Sequence, residues 1–459
     1  MSFDPPLPRG GEIAVVGLGR SGLAAAELLR RGGADVYVSD ASDSPEVRDA
    51  AAKAESFGAA VQAGGHDLRR IAKASLLVAS PGISPKAPPI LSAQGAVPIV
   101  SEVEIALRAL RKSRVIAVTG TNGKSTTTAL IAHLLRGLGA RVVEAGNIGT
   151  PLSAIALREE TPAWIALEMS SFQLHDTPSI APEVGVLTNL SPDHLDRYES
   201  VKAYYADKAL LFRNATDRSI WVINGDDPLV VKMTHGIRGR LYRFSMKGQA
   251  DAFLQKKDAD EVLVLNGRTV VRASELPLLG GHNVANALAA MLAVSTADSR
   301  FQRADAVPRM AEALKSFKGL PHRLEVVAEK DGVIWINDSK ATNVNSTLVA
   351  VQGMTRPFIL LLGGRHKGES YSALIPALSR QCRKVIAYGE SADIIEKDLK
   401  SAVDVERAGN DFEAVIRTAH KSARPGDAIL LSPACSSYDM FRNYEERGER
   451  FREIAGAIG

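Results

Sequence analysis

Val115-Ile116-Ala117-Val118-Thr119-Gly120-Thr121-Asn122-Gly123-Lys124-Ser125-Thr126 is the stretch on which the fold turns. Its β-branched, apolar half has the length and pattern of a buried strand, its glycines mark a turn, and Thr127 to Gly137 continues with helical character. That order predicts a phosphate site. Backbone N–H groups of Gly120, Thr121, Asn122 and Gly123 converge on phosphate oxygens and the helix amino terminus adds positive potential. Lys124 neutralises charge, and the Ser125 or Thr126 hydroxyl reaches Mg2+. Val118 stands where the strict P-loop pattern begins with glycine. A tight turn carrying a lysine by chance is the competing reading.

Two similar junctions flank this one. Glu12 to Gly17 flows into Gly17-Leu18-Gly19-Arg20-Ser21-Gly22, and Pro357 to Gly364 ends in paired glycines. Each predicts an α/β domain. Around the first, strand patterns at Ala34 to Asp40, Ser75 to Ser80 and Val97 to Val100 alternate with helical ones, as in a small doubly wound sheet. The central segment adds strands at Trp164 to Leu167, Val184 to Leu187 and Ile220 to Ile223 and a helix from Asn283 to Ser295. The last has strands at Val333 to Asn337, Pro357 to Leu362, Lys384 to Tyr388 and Ala428 to Leu431. The expectation is an α/β protein of three domains, residues 1–102, 103–319 and 320–459: a small Rossmann-like domain, a central P-loop ATPase-type domain and a C-terminal Rossmann-like domain.

Composition narrows the class. The chain has 459 residues, beyond what one core usually organises, and 56 Lys+Arg against 52 Asp+Glu leave a charge of +4, which gives no argument for nucleic acid. Met1 to Gly11 contains prolines and no apolar signal core, and no run approaches the roughly 20 apolar residues that span a bilayer. A cytoplasmic chain without membrane insertion is expected. Cys382 and Cys435 are the only cysteines, which supplies neither a disulfide framework nor zinc-ligand spacing.

Other residues carry chemistry with alternatives attached. The Gly17 to Gly22 loop with Asp40 reads as a pyrophosphate cradle plus a carboxylate for ribose hydroxyls; a dinucleotide, another nucleotide diphosphate and a packing turn all suit it. Glu168, in Glu168-Met169-Ser170-Ser171-Phe172-Gln173, follows a strand and is placed to ligate nucleotide-bound Mg2+. His194 lies in Asn189-Leu190-Ser191-Pro192-Asp193-His194-Leu195-Asp196, with Lys208 on a following helix; in isolation a structural histidine and a solvated lysine are the ordinary readings. Asn283 and Asn286 share a helix face and suit adenine edges, although Asn283 also suits an N-cap. Leu320-Pro321-His322-Arg323 reads as a connection that delivers a guanidinium to a terminal phosphate or to solvent.

Thr119 to Thr126, Gly146-Asn147-Ile148-Gly149, Glu168 to Gln173, Asp193-His194-Leu195-Asp196-Arg197-Tyr198, Asn337-Asp338-Ser339-Lys340-Ala341-Thr342-Asn343 and Ser432-Pro433-Ala434-Cys435-Ser436-Ser437 occur in the order and approximate spacing of the Mur ligases. The chain resembles that family over essentially its whole length. The resemblance, strongest to members that add glutamate, implies two steps. ATP phosphorylates the alanyl carboxylate of UDP-N-acetylmuramoyl-L-alanine, and the amine of D-glutamate attacks the acyl phosphate through a tetrahedral intermediate. Another amino acid at the second step is the alternative. An NAD-dependent oxidoreductase using the Gly17 loop leaves the Lys124 loop unexplained.

By the same resemblance, Lys124, Ser125, Thr126 and Glu168 serve the phosphates and one Mg2+, and His194 with a carbamylated Lys208 holds a second. Asn283, Asn286, Arg323, Asp338 and Lys340 contact ATP, with Lys124, His194, Lys208 and Lys340 as the catalytic set. The UDP substrate falls to Gly19, Arg20, Ser21, Asp40, Ser80, Gly82, Asn147 and His194, and glutamate to Thr342, Lys367, Ser437, Tyr438 and Tyr444. A monomer whose domains close on the substrates is implied. The chain departs from the family pattern at Ala41 and Ser42, where a larger polar or basic residue is usual. It departs again at Arg365-His366, where acidic or small residues are usual, and at Tyr438 and Tyr444, which stand for Leu and Phe.

Overall fold

A computed structural model describes residues 2–194, 197–257, 260–278 and 280–458. The chain forms two compact units: one runs to Ala273 and takes up Asn286–Leu314, and the other comprises Ser274–Ala285 with Lys315 onward.

The first unit holds two sheets. In the smaller, β1 (Ile13–Val16), β2 (Val36–Asp40), β3 (Ala60–Ala63), β4 (Leu76–Ala79) and β5 (Ile99–Ser101) lie in the order β3-β2-β1-β4-β5, all parallel. Every β1 side chain is buried, as helices on both faces of a parallel sheet require. The order reverses between β1 and β4, so the Gly17 turn sits at the topological switch point, where α/β sheets bind ligands.

The larger sheet comprises β6 (Arg114–Thr119), β7 (Val142–Gly146), β8 (Trp164–Glu168), β9 (Val184–Leu187), β10 (Ile220–Asn224), β11 (Arg240–Ser245), β12 (Ala252–Lys257), β13 (Asp260–Leu265) and β14 (Arg268–Arg272). Their order is β14-β13-β12-β11-β10-β9-β6-β8-β7, parallel from β7 across to β12 and antiparallel beyond. β6 lies between β8 and β9, a second switch point. One apolar core runs from β1 and the helix Arg20–Arg31 through Glu102–Ala109 and Leu152–Ala156 into this sheet. Two buried carboxylates pin that junction. Glu102 accepts the Ser153 N–H, and burial pushes its carboxyl up to about 7. Glu104 accepts from Arg108 at 2.7 Å and from the Ser179 hydroxyl at 2.7 Å.

The second unit carries β15 (Glu325–Lys330), β16 (Val333–Asn337), β17 (Phe358–Gly363), β18 (Cys382–Tyr388), β19 (Val405–Arg407) and β20 (Ala428–Leu431), in the order β15-β16-β20-β17-β18-β19. Only β15 is antiparallel.

The α/β class and the strands expected from apolar runs are present within one or two residues of their expected ends. Glu168 closes β8 rather than following it, and Lys124 is the first residue of a helix that reaches Gly137. The strands missed are β3, β7, β11 to β15 and β19. All of β3 is only half-buried, and β12 ends in the exposed run Gln255-Lys256-Lys257. Partly wet strands such as these lose the apolar run by which central strands are recognised, whereas β13 carries such a run in Val262 to Leu265 and was overlooked.

Candidate active site

The loop after β6 is pinned on every side. Gly120 has φ 143 and Gly123 has φ 81, and a Cβ on Gly123 would lie 2.4 Å from Asn286 Oδ1. The glycine is required by its close approach to the helix Gly281–Ala297 as well as by its backbone. The Thr119 hydroxyl donates to Met169 O at 2.8 Å, the Asn122 N–H donates to Asn189 Oδ1 at 2.8 Å, and the Thr188 hydroxyl donates to Asn122 O at 2.7 Å. Thr188 went unremarked in the sequence, and Asn189 was quoted only as the start of the His194 stretch; their place just after β9, beside β6, was the available signal. Lys124 Nζ donates to Gly120 O at 3.1 Å and Thr121 O at 2.7 Å, folding over its own loop. Ser125 and Thr126 are buried in the first turn.

Lys208 overturns the solvated reading. It is buried on the helix Val201–Ala209, with Nζ donating to Gly120 O at 2.6 Å and standing 4.6 Å from the centre of the Tyr204 ring. Burial, reinforced by the Lys124 charge, holds its amine well below the usual lysine range against the opposing pull of Asp193, Glu168 and Asp207. His194 has φ 55, and its half-exposed ring meets Phe172 edge-on at 5.3 Å and Tyr204 at 5.9 Å. Leu195 and Asp196 of the same motif lie outside the described residues.

Glu168 is almost fully buried. Its Oε1 accepts from Asn147 Nδ2 at 2.9 Å, and its Oε2 has no hydrogen-bond partner. A buried carboxylate oxygen left in that state calls for a cation. Among the described residues no cluster of three or more His, Cys, Asp or Glu forms a metal cage. One buried carboxylate beside a phosphate loop with two hydroxyls is the donor set that suits Mg2+, which keeps waters and shares its shell with phosphate oxygens.

At the other switch point, Gly17 turns at φ 100, and a Cβ on Gly22 would lie 1.8 Å from Gly17 O. Asp40 braces the turn: Oδ2 accepts the Leu18 N–H at 2.8 Å and Oδ1 the Ser42 N–H at 2.9 Å. Gly19 caps the helix Arg20–Arg31 without a side-chain cap, and Arg20 is exposed beside half-buried Ser21. That end is suited to an anion. The Ser80 hydroxyl donates to Gly17 O at 3.4 Å, and Gly82 has open space where a Cβ would stand. Ser80 and Pro81 also line a cavity of about 620 Å3 with Phe172, Gln173, Asp176 and Tyr198. Asp176 there is pushed up to about 6 by burial.

In the second unit, Asp338 is buried, accepts the Ser432 hydroxyl at 2.8 Å, and is pushed up to about 7 by burial against the pull of Ser432 and Arg323. Lys340 Nζ lies 4.9 Å from the centre of the Tyr444 ring, and Lys367 Nζ lies 3.4 Å from the Thr342 hydroxyl. Ser437 is buried and Tyr438 exposed. Arg447 was missed by the sequence reading. Fully buried, it donates to Ser339 Oγ at 2.9 Å and to Cys435 O at 3.2 Å, tying the Asp338 loop to the Ser437 loop. Its place on the buried helical face with Phe451 and Ile454 was the signal.

Gly120 to Thr126, Asn147, Glu168, Lys208 and Asn286 are therefore brought together, with His194 against the same aromatic wall. Gly19, Arg20, Ser21 and Asp40 form a separate turn on the smaller sheet. Arg323, Asp338, Lys340, Thr342, Lys367, Ser437, Tyr438 and Tyr444 belong to the second unit, as does Asn283. Asn283 is the third residue of its helix rather than the N-cap.

Three domain profiles match the chain: Mur ligase MurD-like, N-terminal domain over residues 11–101, Mur ligase middle domain over 118–294, and Mur ligase, glutamate ligase domain over 322–435. The chain is 37% identical to the UDP-N-acetylmuramoylalanine--D-glutamate ligase of Pelotomaculum thermopropionicum, across 96% of this chain and 97% of the relative. It is 40% identical to the protein of that name in Chromobacterium violaceum, across 97% of each. Among solved structures, a pseudomurein peptide ligase type C from Methanothermus fervidus aligns with a TM-score of 0.62 at 22% identity, covering 98% of this chain and 100% of that one. The MurF ligase from Thermotoga maritima in complex with ADP aligns with a TM-score of 0.61 at 18% identity, covering 92% and 94%. At those identities the likeness is one of fold.

Proposed function

The chain belongs to the Mur ligase family, and from that premise we propose that it joins D-glutamate to the alanyl carboxylate of UDP-N-acetylmuramoyl-L-alanine, with ATP converted to ADP and phosphate. The observation that carries the reading is the phosphate loop of Lys124 set between buried Lys208 and the partnerless Glu168 oxygen.

A carboxylate is a poor electrophile and oxide a poor leaving group. Transfer of the γ-phosphoryl group to the alanyl carboxylate repairs both. The neutral amine of glutamate then adds to the acyl carbon, and phosphate leaves as the tetrahedral intermediate collapses to the amide. Two anions must meet in the first step, so charge neutralisation dominates. Lys124 and the loop N–H groups hold the phosphates; Asn283, Asn286, Arg323, Asp338 and Lys340 hold the rest of ATP. Glu168, Ser125 and Thr126 would hold one Mg2+, and His194 with Lys208 a second, each ion supplying positive charge between the approaching anions. A protonated Lys208 could not ligate a cation, whereas its carbamate could. Its depressed basicity favours the neutral amine, the form that adds CO2 with loss of a proton to give a carbamate.

Gly19, Arg20 and Ser21 take the diphosphate, Asp40 and Ser80 with Gly82 the uridine side, and Asn147 with His194 the muramoyl-alanyl end. Thr342, Lys367, Ser437, Tyr438 and Tyr444 receive glutamate, whose two carboxylates call for a cation and hydroxyl donors. The activity belongs to a monomer in the cytoplasm, with domain limits near residues 102 and 319. No helix among the described residues is long and apolar enough to cross a membrane.

The test is ADP release with UDP-N-acetylmuramoyl-L-alanine and a panel of amino acids that includes both enantiomers of glutamate. D-glutamate is expected to give the fastest release. Indifference to both enantiomers would sink the assignment.

A further inference from the structure

The surroundings of His366 give that residue a task. The Arg365 N–H donates to Ser436 O at 2.9 Å in an isolated antiparallel bridge, and beside it the Ser436 hydroxyl donates to Arg365 O at 3.3 Å. It fastens the loop that carries Lys367 to the loop that carries Ser437. The approach is close: with φ 130, a Cβ on Gly364 would lie 2.3 Å from Ser436 O.

Beneath the bridge runs a second connection made of side chains. His366 Nδ1 is 2.9 Å from the Tyr371 hydroxyl, which is 2.9 Å from Cys435 Sγ, which is 3.3 Å from Ser391 Oγ. The Ser391 N–H returns to the first loop by donating to Gly364 O at 3.1 Å. Tyr371, Ser391 and Cys435 are buried, whereas His366 is half-exposed. Burial pushes the Tyr371 hydroxyl and the Cys435 thiol up, so both keep their protons and the chain beyond His366 is built of neutral groups. Backbone bonds fix the two loops where they leave the sheet, Gly363 N–H to Pro433 O at 3.1 Å and Arg365 N–H to Ser436 O; the buried attachment through His366 holds the segment that leads on from there to Lys367.

We propose that His366, acting through Tyr371 and Cys435, is a positioning residue that holds the Lys367 and Ser437 loops at the spacing the two carboxylates of the incoming amino acid require. The inference rests on reading Lys367, Thr342 and Ser437 as the glutamate site. It assigns His366 no contact with substrate, so its removal weakens capture of glutamate and spares the chemical step.

The experiment compares His366→Ala, Tyr371→Phe, His366→Asn and Lys367→Ala by steady-state kinetics on the full chain, varying each substrate in turn. His366→Ala and Tyr371→Phe are expected to raise KM for D-glutamate about three- to tenfold, the loss of one hydrogen bond. Their kcat, and KM for ATP and for the UDP substrate, stay within about twofold on the same reasoning. His366→Asn, which keeps a polar atom near the Nδ1 position, recovers most of the loss. The double variant His366→Ala with Tyr371→Phe is no worse than Tyr371→Phe alone, since both cut one chain. A parental KM for D-glutamate in His366→Ala, with Lys367→Ala impaired, overturns the proposal and leaves the glutamate site standing. An unimpaired Lys367→Ala overturns the site itself and the proposal with it. A joint rise of all three KM values with a fall in Tm in His366→Ala marks general loosening and also contradicts it. Should Tyr371→Phe fail to fold, the surface variant His366→Ala decides alone.

Discussion

At the end of β1, Gly17 turns the chain at φ 100 into a helix that begins Arg20-Ser21; at the end of β6, Gly120 and Gly123 turn it into one that begins Lys124-Ser125. Both turns sit at switch points of parallel sheets. Their surroundings differ. The first is braced by a carboxylate, Asp40, whose two oxygens accept backbone N–H groups. The second is packed against titratable groups: Lys124 on the loop, Lys208 buried behind it, and a Glu168 oxygen with no partner. A glycine turn at a strand end is a general anion site; buried titratable groups placed around it make it a site for reaction. The first loop is thus expected to bind and the second to bind and react.

The largest effect should come from Lys124→Ala. If the second loop performs phosphoryl transfer, turnover falls by about 10²- to 10³-fold or more, the scale of losing one electrostatic donor at a transition state. Near-normal turnover would reduce that loop to the status of the first. Lys208→Met should lose about 10²-fold or more in kcat by the same reasoning, and it carries a pH signature. Because the folded-state pKa of Lys208 is depressed, the unfolded chain binds more protons between that value and the ordinary lysine range. Stability contributed by this site therefore rises with pH through the window. The difference in Tm, variant minus parent, measured in CO2-free buffer, is expected to shrink as pH rises; a difference flat in pH contradicts the buried neutral amine.

Gly22→Ala tests the first loop, since its Cβ would meet Gly17 O at 1.8 Å and the turn must shift. KM for the UDP substrate should rise roughly tenfold, for about 1.4 kcal/mol of lost binding, with kcat at saturation nearly kept. The smallest effect is expected of Asp40→Ala, which releases two backbone N–H groups to water. It should raise KM for the UDP substrate about three- to tenfold without touching kcat. Loss of kcat in either variant would erase the distinction between the loops.

How much of this was legible in the sequence follows the same physics. The Lys124 loop could be read because strand, glycines, lysine and hydroxyls are local and adjacent. The Gly17 loop could be read as a nucleotide turn but not as a UDP site, which came from likeness to a family. Lys208 could not be read as buried, because nothing adjacent shows that the helix Val201–Ala209 lays it against Gly120 O. Arg447 escaped for the opposite reason, being a charge that sequence habit assigns to solvent and the fold places wholly inside. The His366 to Cys435 connection joins residues far apart in sequence and had no local signature at all.

On the proposed function, the Lys124 loop activates the alanyl carboxylate by phosphorylation. UDP-N-acetylmuramoyl-L-alanine labelled with 18O in that carboxylate, turned over with ATP and D-glutamate, tests it directly by mass analysis of the released phosphate. One labelled oxygen per phosphate is predicted, since the acyl phosphate breaks at its carbon. Product formed with unlabelled phosphate would contradict the account.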